Sequence, residues 1–560
     1  MNRLQYELSP YLRCWGEDSV DWYPWGQEAF TRAKNEHKPM LISIGTTPDW
    51  KQMCCNHGTV ARLTERYFVP VQVDGQEYPE VAALYRCAAA LMTGDTAQPL
   101  EVLADSEGNP FYITEALREV ELAALLSGAA LHWNSSPEVY EGVAASMRES
   151  LSQFSEVGAS AGAPKQAAEK HFRWLQNRYD EENGGFGGEG KRLQPQSILF
   201  LLAYYRKTKE AEALKMAVHT LRQMALGSVR DLIGGGFFRG TIDVRWQKPI
   251  FEKRLIDQAW MLEAYISAYR LTGEELFRTV AAEVADYVIR ELRHPAGGFF
   301  TSQWSEDGYY LLTDTHVRKT LGDNDGSIFC RQYSIGESLT VPHLYNGDTP
   351  EEDSLLLHDL RMKLYRYRLE RSRPLRDEKV LLGWNGIMIG SLARAGRVLG
   401  VERYLTAAAN GEAFLRSRLV SSLGLRRYWC HGAVRGEGTL EDYVGYALAL
   451  LELYRCGCGG DCLRNAVKIM VRADALFSDR EQGGYYMTRG QQYLPARPKQ
   501  PWDTEVPSPC SVALQVLLHL SKEICHPGLR NRTKEQVEYA LSVADRYDCG
   551  YALAAMMEAK

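Results

Sequence analysis

The stretch Pro39-Met-Leu-Ile-Ser-Ile-Gly45 is an apolar run of strand length, and Tyr67-Phe-Val-Pro-Val-Gln-Val-Asp74 is a second one. A helical stretch at about 57–66 lies between them, and a β-α-β order of this kind predicts a parallel strand pair joined by a crossover helix. Further along, Leu100 to Ala104 and Pro110 to Thr114 flank the turn Asp105-Ser-Glu-Gly-Asn109, which predicts an added hairpin. The first ~130 residues are therefore expected to form a small α/β domain.

After the small-residue stretch Gly158-Ala-Ser-Ala-Gly-Ala-Pro164, interpreted as a linker, the pattern changes to amphipathic helices separated by glycine turns. The turns share a glycine–aromatic form and are Gly184-Gly185-Phe186, Gly234-Gly235-Gly236-Phe237, Gly297-Gly298-Phe299 and Gly483-Gly484-Tyr485, with Gly424-Leu425 as a weaker relative. Examples of the helical patterns are 255–271, 274–292, 380–398, 401–418, 441–455 and 461–477. Repeated helix pairs indicate either an open solenoid or a closed toroid of about six hairpins, and the aromatic residues in the turns favour the toroid.

The composition is that of a globular protein of two or three domains: 560 residues, 45% hydrophobic and 24% charged. A net charge of -6 argues against binding to nucleic acid or to a membrane surface through bulk electrostatics. The sequence has no run of about 18 apolar residues and no apolar core near Met1, so neither a membrane span nor export is expected. Twelve scattered cysteines suit a reducing compartment, which predicts a cytoplasmic location.

Several segments resemble the YyaL/spermatogenesis-associated thioredoxin-domain family in the same order along the chain. They are Leu8-Ser-Pro-Tyr-Leu12, Val20-Asp-Trp-Tyr-Pro-Trp-Gly26, Leu41-Ile-Ser-Ile-Gly45, Gly185-Phe-Gly187, Gly234 through Lys253, Trp384-Asn-Gly386 and Leu440-Glu-Asp-Tyr443. The resemblance implies an α/β thioredoxin-like domain followed by an all-α (α/α)6 toroid similar to those of N-acylglucosamine 2-epimerases and glycoside hydrolases. We assign residues 1–157 to the first domain and 165–560 to the second.

The chain departs from the family at its redox motif. Where the family has Cys-His-Trp-Cys-His, this sequence reads Gly45-Thr-Thr-Pro-Asp-Trp-Lys-Gln52, so that Pro48 and Lys51 occupy the cysteine positions. Dithiol exchange needs an attacking thiolate and a resolving thiol, and neither residue supplies one. Adjacent Cys54 and Cys55 are interpreted as thiols without a redox role, and Pro99 is expected to be a cis proline retained from the fold.

The second departure lies in the segment that best matches the family. The family usually has the sequence Pro-His-Phe-Glu-Lys-Met-Leu-Tyr-Asp-Asn in this segment. In this chain Ile250 occupies the histidine position and Gln258 occupies the asparagine position. Isoleucine cannot transfer a proton. Glu252, Lys253 and Asp257 remain, and either they act on a ligand or they cap and stabilise the helix start.

Toroids of this class carry sugar chemistry in a central cleft, where epimerases need an acid/base group and glycosidases need two carboxylates. The candidate catalytic residues are Glu252, Asp257, Glu441 and Asp442. The candidate substrate-binding residues are Phe186, Arg239, Trp246, Lys253, Trp384, Asn385 and Tyr443. For each there is a structural alternative: acids in a first turn suit the helix dipole, aromatic residues fill cores, and Arg239 can pair with an acid.

Weaker candidates are the acids Asp231, Asp377, Asp503 and Glu505, the base His431, and the cluster Cys456, Cys458 and Cys462. Three cysteines fall short of the four ligands of structural zinc, and no phosphate-binding loop is present, so we predict no metal and no cofactor. Two functions stay open: a carbohydrate-directed enzyme or sugar-binding protein, and a non-enzymatic scaffold for a protein partner. A small carbohydrate is the expected ligand, with no nucleic acid and no membrane.

Overall fold

A computed structural model describes residues 2–46, 58–94, 99–115, 117–155, 167–305, 307–344, 355–371, 373–490 and 493–546. The chain divides into two compact units. The first comprises Met1–Gly158 together with Cys430–Leu440 and Ala475–Gln500, and the second comprises Ala159–Trp429, Glu441–Asp474 and Pro501–Lys560. The predicted linker lies outside the described residues, and the boundaries 1–157 and 165–560 stay a prediction.

The first unit is built on a five-stranded sheet of order β1-β3-β2-β4-β5. Its strands are β1 (Tyr23–Pro24), β2 (Met40–Gly45), β3 (Val69–Asp74), β4 (Leu100–Ala104) and β5 (Pro110–Glu115). β2 runs parallel to β3, while β4 runs antiparallel to both β2 and β5. The predicted parallel pair, the hairpin and the thioredoxin-like α/β arrangement are thereby confirmed.

Helices cover the sheet because its strands are apolar on both faces. They are α1 (Pro10–Cys14), α2 (Gln27–Glu36), α3 (Gly58–Tyr67), α4 (Pro79–Thr93), α5 (Glu119–Ser135) and α6 (Pro137–Ser155). Along β2, Met40, Ile42 and Ile44 belong to one hydrophobic cluster, whereas Leu41 belongs to the other. This alternation of period two places one core on each side of the sheet.

The rest of the chain is helical. Its long helices are α7 (Ala167–Arg178), α8 (Pro195–Thr208), α9 (Ala211–Leu226), α10 (Leu255–Thr272), α11 (Glu275–Tyr287), α15 (Leu382–Leu399), α16 (Glu402–Arg418), α17 (Leu440–Arg455), α18 (Asp461–Phe477), α19 (Pro509–Glu523) and α20 (Pro527–Arg546). Three helices, α12 (Asp314–Leu321), α13 (Asp323–Gln332) and α14 (Leu355–Arg371), lie between α11 and α15. The predicted helices at 255–271, 380–398, 401–418, 441–455 and 461–477 are all present.

Short strands lie between these helices. They are β6 (Lys191–Arg192), β7 (Gly240–Thr241), β8 (Glu252–Arg254), β9 (Ser302–Trp304), β10 (Leu375–Asp377), β11 (Val380–Leu381), β12 (Val420–Ser421), β13 (Gly424–Cys430) and β14 (Ala433–Glu437). Gly424 opens β13 and pairs with Ser421 across a hairpin. Gly424-Leu425 is therefore not a relative of the glycine–aromatic turns, because it connects strands and not helices.

Alternate helices form an inner ring. α10 and α15 are buried on nearly every side over most of their length, whereas α11 buries one stripe, which is the difference expected between inner and outer helices. α10 packs against both α8 and α15. Gly386 of α15 meets Gly445 of α17 so closely that a Cβ on Gly386 would lie 2.4 Å from the Gly445 backbone.

The same ring continues through α19 and returns to α8. Arg455 at the end of α17 bonds His519 and Glu523 of α19. Gln196 at the start of α8 donates to the carbonyl of Thr504, just before α19. Of the two predicted architectures, the structure confirms the closed toroid and not the open solenoid. The described residues supply five inner helices, α8, α10, α15, α17 and α19.

Candidate functional site

Three of the glycine–aromatic turns share a lysine staple. In each, a lysine Nζ forms an ion pair with the carboxylate of an aspartate that lies four residues before a Gly-Gly pair. The distances are 2.6 Å for Lys191–Asp180, 2.8 Å for Lys253–Asp231 and 2.6 Å for Lys499–Asp479. The same Nζ also donates to the carbonyl of the first glycine of that pair, Gly184, Gly235 or Gly483. Lys253 therefore has a structural role that recurs in two other turns.

Lys253 differs from the other two in sharing its aspartate. Arg368 of α14 forms a bidentate pair with Asp231 at 2.9 and 2.7 Å, so two cations meet one buried carboxylate. Desolvation would raise the pKa of Asp231, but Arg368 and Lys253 outweigh it and hold that pKa well below its usual range. Burial lowers the pKa of Lys253 to about 8, and the nearby Arg368 adds to the effect.

Glu252 precedes this lysine on β8, and because neighbouring residues of a strand face opposite ways, its carboxyl lies on the other side. The residue is 3% exposed, its Oε2 accepts from Arg239 Nη1 at 2.9 Å, and its Oε1 has no hydrogen-bond partner among the described residues. Burial raises the pKa of Glu252, and Arg239 and Arg254 oppose the rise without cancelling it. Burial and the unbonded Oε1 therefore both favour the protonated form of this carboxyl over its ionised form.

An ion-pair network surrounds this carboxyl at the start of α10. Arg254 binds both oxygens of Asp257, at 2.7 and 2.9 Å, and reaches Glu505 Oε2 at 2.8 Å. Glu505 also forms ion pairs with two other arginines. Its Oε1 lies 3.0 Å from Arg192 Nε, and its Oε2 lies 3.6 Å from Arg239 Nη2. Against its desolvation, these arginines lower the pKa of Glu505 to about 2, so it stays ionised. We call Arg192, Arg239, Glu252, Arg254, Asp257 and Glu505 the rim network.

A second network forms at the start of α17. Arg427 Nη1 contacts Glu441 Oε2 at 2.5 Å and Asp442 Oδ1 at 2.9 Å. The other Glu441 oxygen accepts from the indole of Trp384 at 3.1 Å, and Asp442 Oδ1 accepts from the backbone N–H of Gly383 at 2.9 Å. The structure therefore brings Trp384, Glu441 and Asp442 together around Arg427, which the sequence reasoning did not single out.

Asn385 and Gln258 clamp two of the turns through their side-chain amides. Asn385 Oδ1 accepts from Phe299 N at 2.7 Å, and its Nδ2 donates to the carbonyl of Phe299 at 2.9 Å. Gln258 does the same to Phe237, with both distances 2.7 Å. Both side chains are fully buried, so each amide is engaged by backbone. Gln258 thus supplies at its turn the clamp that Asn385 supplies at another.

The predicted aromatic floor is mostly interior. Trp246 donates its indole N–H to the carbonyl of Asn183 at 2.9 Å and packs on Gly185, while Phe186 and Tyr443 are buried. Trp384 alone of the four is half-buried. The substrate-binding assignment of these aromatic residues stays a prediction, with Trp384 placed best to offer a ring face.

Several predictions fall on other parts of the chain. Pro48, Lys51, Cys54 and Cys55 lie outside the described residues, as does Gln98 before Pro99, so the loss of dithiol chemistry and the cis peptide stay predictions. The part of the chain that the structure describes holds no group of three or more His, Cys, Asp or Glu placed to bind a metal. No helix within the described ranges is long and apolar enough to cross a membrane.

The sequence reasoning missed Arg192, Arg254 and the lysine staples. A signal for the staples was available, because Asp180, Asp231 and Asp479 each precede a Gly-Gly pair by the same spacing. Arg192 and Glu505 are more than 300 positions apart, so only the ring closure brings them together.

Comparisons with known proteins identify relatives of this chain. A family model for a DsbH-type thioredoxin domain, described as a protein of unknown function (DUF255), matches residues 1–152. Spermatogenesis-associated protein 20 of Rattus norvegicus is 31% identical over 93% of this chain and 75% of its own length, and the Homo sapiens protein is 31% identical over 93% and 76%.

Among solved structures, a D-mannose isomerase aligns with 67% of this chain and 84% of its own, at 12% identity and a TM-score of 0.47. An unsaturated glucuronyl hydrolase specific for heparin aligns with 70% and 95%, at 10% identity and a TM-score of 0.43. The sequence match to the rat and human proteins extends through both the thioredoxin-like region and the toroid. The chain therefore belongs to the spermatogenesis-associated protein 20 family.

Proposed function

We propose that the rim network binds a carbohydrate and that Glu252 exchanges a proton with it, in an isomerase- or epimerase-like reaction. The observation that carries the proposal is the buried Glu252 carboxyl, which has one oxygen without a partner among the described residues and a pKa raised by burial. Perturbed acids of this kind cluster at functional sites. Carbohydrate is the ligand class that the resemblance to epimerase and glycosidase toroids implies.

The reaction is proton transfer next to a carbonyl. The Glu252 carboxylate takes the proton from the carbon beside the sugar carbonyl, and the C–H electron pair moves into an enolate. Arg239, which already binds the other Glu252 oxygen, stabilises the negative oxygen that forms. The carboxyl exchanges this proton with solvent and returns one to the former carbonyl carbon, while the proton of the neighbouring hydroxyl passes to the former carbonyl oxygen. Atoms and charge therefore balance over the cycle.

The other two acids of the rim network favour this reaction over glycoside hydrolysis, which needs a second working carboxylate. Both Asp257 oxygens are bound by Arg254, and Glu505 is shared by three arginines. These acids hold the arginines in place. The arginine N–H groups are suitable donors to sugar hydroxyls.

The test is hydrogen–deuterium exchange of sugars in D₂O, read by proton NMR after a thermal-shift screen of free aldoses and ketoses. At least one sugar is expected to stabilise the wild-type chain and to exchange, in its presence, the hydrogen on the carbon next to the sugar carbonyl for deuterium. Glu252→Gln, which keeps the size and the bond to Arg239, is expected to fold normally and lose the exchange. Glu378→Gln, which removes a surface glutamate, is the matched control. Exchange retained in Glu252→Gln contradicts the proposed role.

The second candidate is a partner-binding scaffold without chemistry. Two observations favour it: Ile250 replaces the family histidine, and the Trp384, Glu441, Asp442 and Arg427 side chains bond one another. If no sugar stabilises the wild-type chain, the carbohydrate proposal fails and this candidate is favoured.

A further inference from the structure

A polar cavity of about 250 Å³ lies at the opposite end of the toroid from the rim network. Its lining residues all come from the C-terminal halves of the five inner helices: Arg206 of α8, Arg270 of α10, Arg394 and Arg397 of α15, Glu452 and Arg455 of α17, and His519 and Lys522 of α19. The cavity is therefore on the ring axis.

The side chains of this cavity carry an excess of positive charge. Six of the eight lining residues are arginine or lysine, and Glu452 is the one carboxylate among them. Two acids next to the lining, Glu263 and Glu523, bind Arg394 and Arg455 respectively. Three carboxylates thus lie among six arginine or lysine side chains.

Four of these cations, Arg206, Arg270, Arg397 and Lys522, have no carboxylate within ion-pair distance among the described residues, and all four are exposed. His519 accepts an N–H from Arg455 at its Nδ1, 3.1 Å away. Since arginine only donates, the neutral histidine carries its proton on Nε2, which makes that atom a further donor.

Helix dipoles account for part of this arrangement. A cation in the last turn of a helix is favourable, and each inner helix has one there. A cation on any side of the helix gives this stabilisation of the helix end. The helix dipole therefore does not explain why the side chains of five helices line one cavity. Like charges gathered in this way repel one another, and an anion between them removes the repulsion.

We propose that this cavity binds a small phosphate-bearing anion. Arginine forks match the geometry of phosphate oxygens, and the excess of cations suits a ligand with two or more negative charges. The cavity volume is slightly below the ~300 Å³ at the lower end of small-molecule sites, so the ligand is compact. The proposal does not depend on the proposed sugar chemistry, because none of its residues belongs to the rim network.

The test is isothermal titration calorimetry of the full chain with pyrophosphate at constant ionic strength. We expect saturable binding at one site. The double variant Arg206→Gln/Arg270→Gln is expected to bind pyrophosphate at least ~10-fold more weakly, since it removes two charged donors. Both residues are exposed, so their replacement leaves the packing intact, and circular dichroism verifies the fold.

Arg418→Gln is the matched control, because Arg418 is an exposed arginine in the last turn of an outer helix. It is expected to bind pyrophosphate within twofold of wild type. Three results overturn the proposal: no saturable binding to the wild-type chain, equal affinities for the double variant and wild type, or tighter binding of citrate than of pyrophosphate. The last result would assign the cavity to carboxylates.

Discussion

The two ends of the toroid handle charge in different ways. At the rim network, three arginines face three acids, and ion pairs join them into one connected group. At the cavity on the other end, six cations face one lining carboxylate and two neighbouring ones. A balanced network can be complete within the protein, whereas an unbalanced one leaves charge for a ligand to neutralise. The comparison predicts that removing a cation has opposite consequences at the two ends.

The largest effect is expected for Arg254→Gln at the rim. The substitution leaves Asp257, which is buried, without its bidentate partner, and breaking a buried pair from one side costs about 3 kcal/mol. Urea unfolding measures the free energy of unfolding. The control Arg376→Gln removes an exposed partner of Glu378 and is expected to cost under ~1 kcal/mol. Equal losses for both variants would show that the rim pairs do not stabilise the fold.

A medium effect is expected for the pH dependence that Lys253 confers. Its pKa is about 8 in the folded protein and about 10.5 when unfolded, so between these values the unfolded chain binds more protons. The free energy of unfolding therefore rises from pH 8 to pH 9.5, by at most ~1.4 kcal/mol per pH unit.

Lys253→Met is expected to abolish that slope, and because Asp231 keeps Arg368 as its partner, the variant is expected to fold. Urea unfolding curves recorded at four pH values between 7.5 and 9.5, for the variant and for wild type, measure how the free energy of unfolding depends on pH. A slope unchanged in the variant would mean that Lys253 stays charged throughout this range.

The smallest effect is expected for Arg270→Gln at the cavity. Without an added anion the substitution reduces repulsion among like charges, so the free energy of unfolding is expected to change by less than ~0.5 kcal/mol or to increase. The same urea titration at low and high salt measures it. A loss comparable to that of Arg254→Gln would contradict the contrast between the two ends.

Much of the fold was predictable because it depends on local patterns. The apolar runs gave β2 and β3, and 3.6-residue periodicity gave helices such as α10, α15 and α18 within one or two residues of their ends. The closed toroid was expected from the aromatic turns and the family resemblance, but the contacts that close it were not, because pairs such as Arg192–Glu505 join residues far apart in sequence.

The candidate site was predictable in part. Glu252, Arg239 and Asp257 were identified from one continuous segment, and the structure places them in one network. The backbone hydrogen bonds of Asn385 and Trp246 could not be read from the sequence, because they depend on residues distant along the chain, Phe299 and Asn183. The cavity was missed because its cations lie singly on five different helices.

The proposed proton exchange depends most directly on the raised pKa of the buried Glu252 carboxyl. Infrared difference spectroscopy of wild type against Glu252→Gln measures the protonated carboxyl band as the pH is varied, and the subtraction removes other buried acids. The predicted result is a band present in wild type alone, with a midpoint above 4.5. A midpoint at or below 4.5 would show that Arg239 and Arg254 keep Glu252 ionised, and would contradict the account.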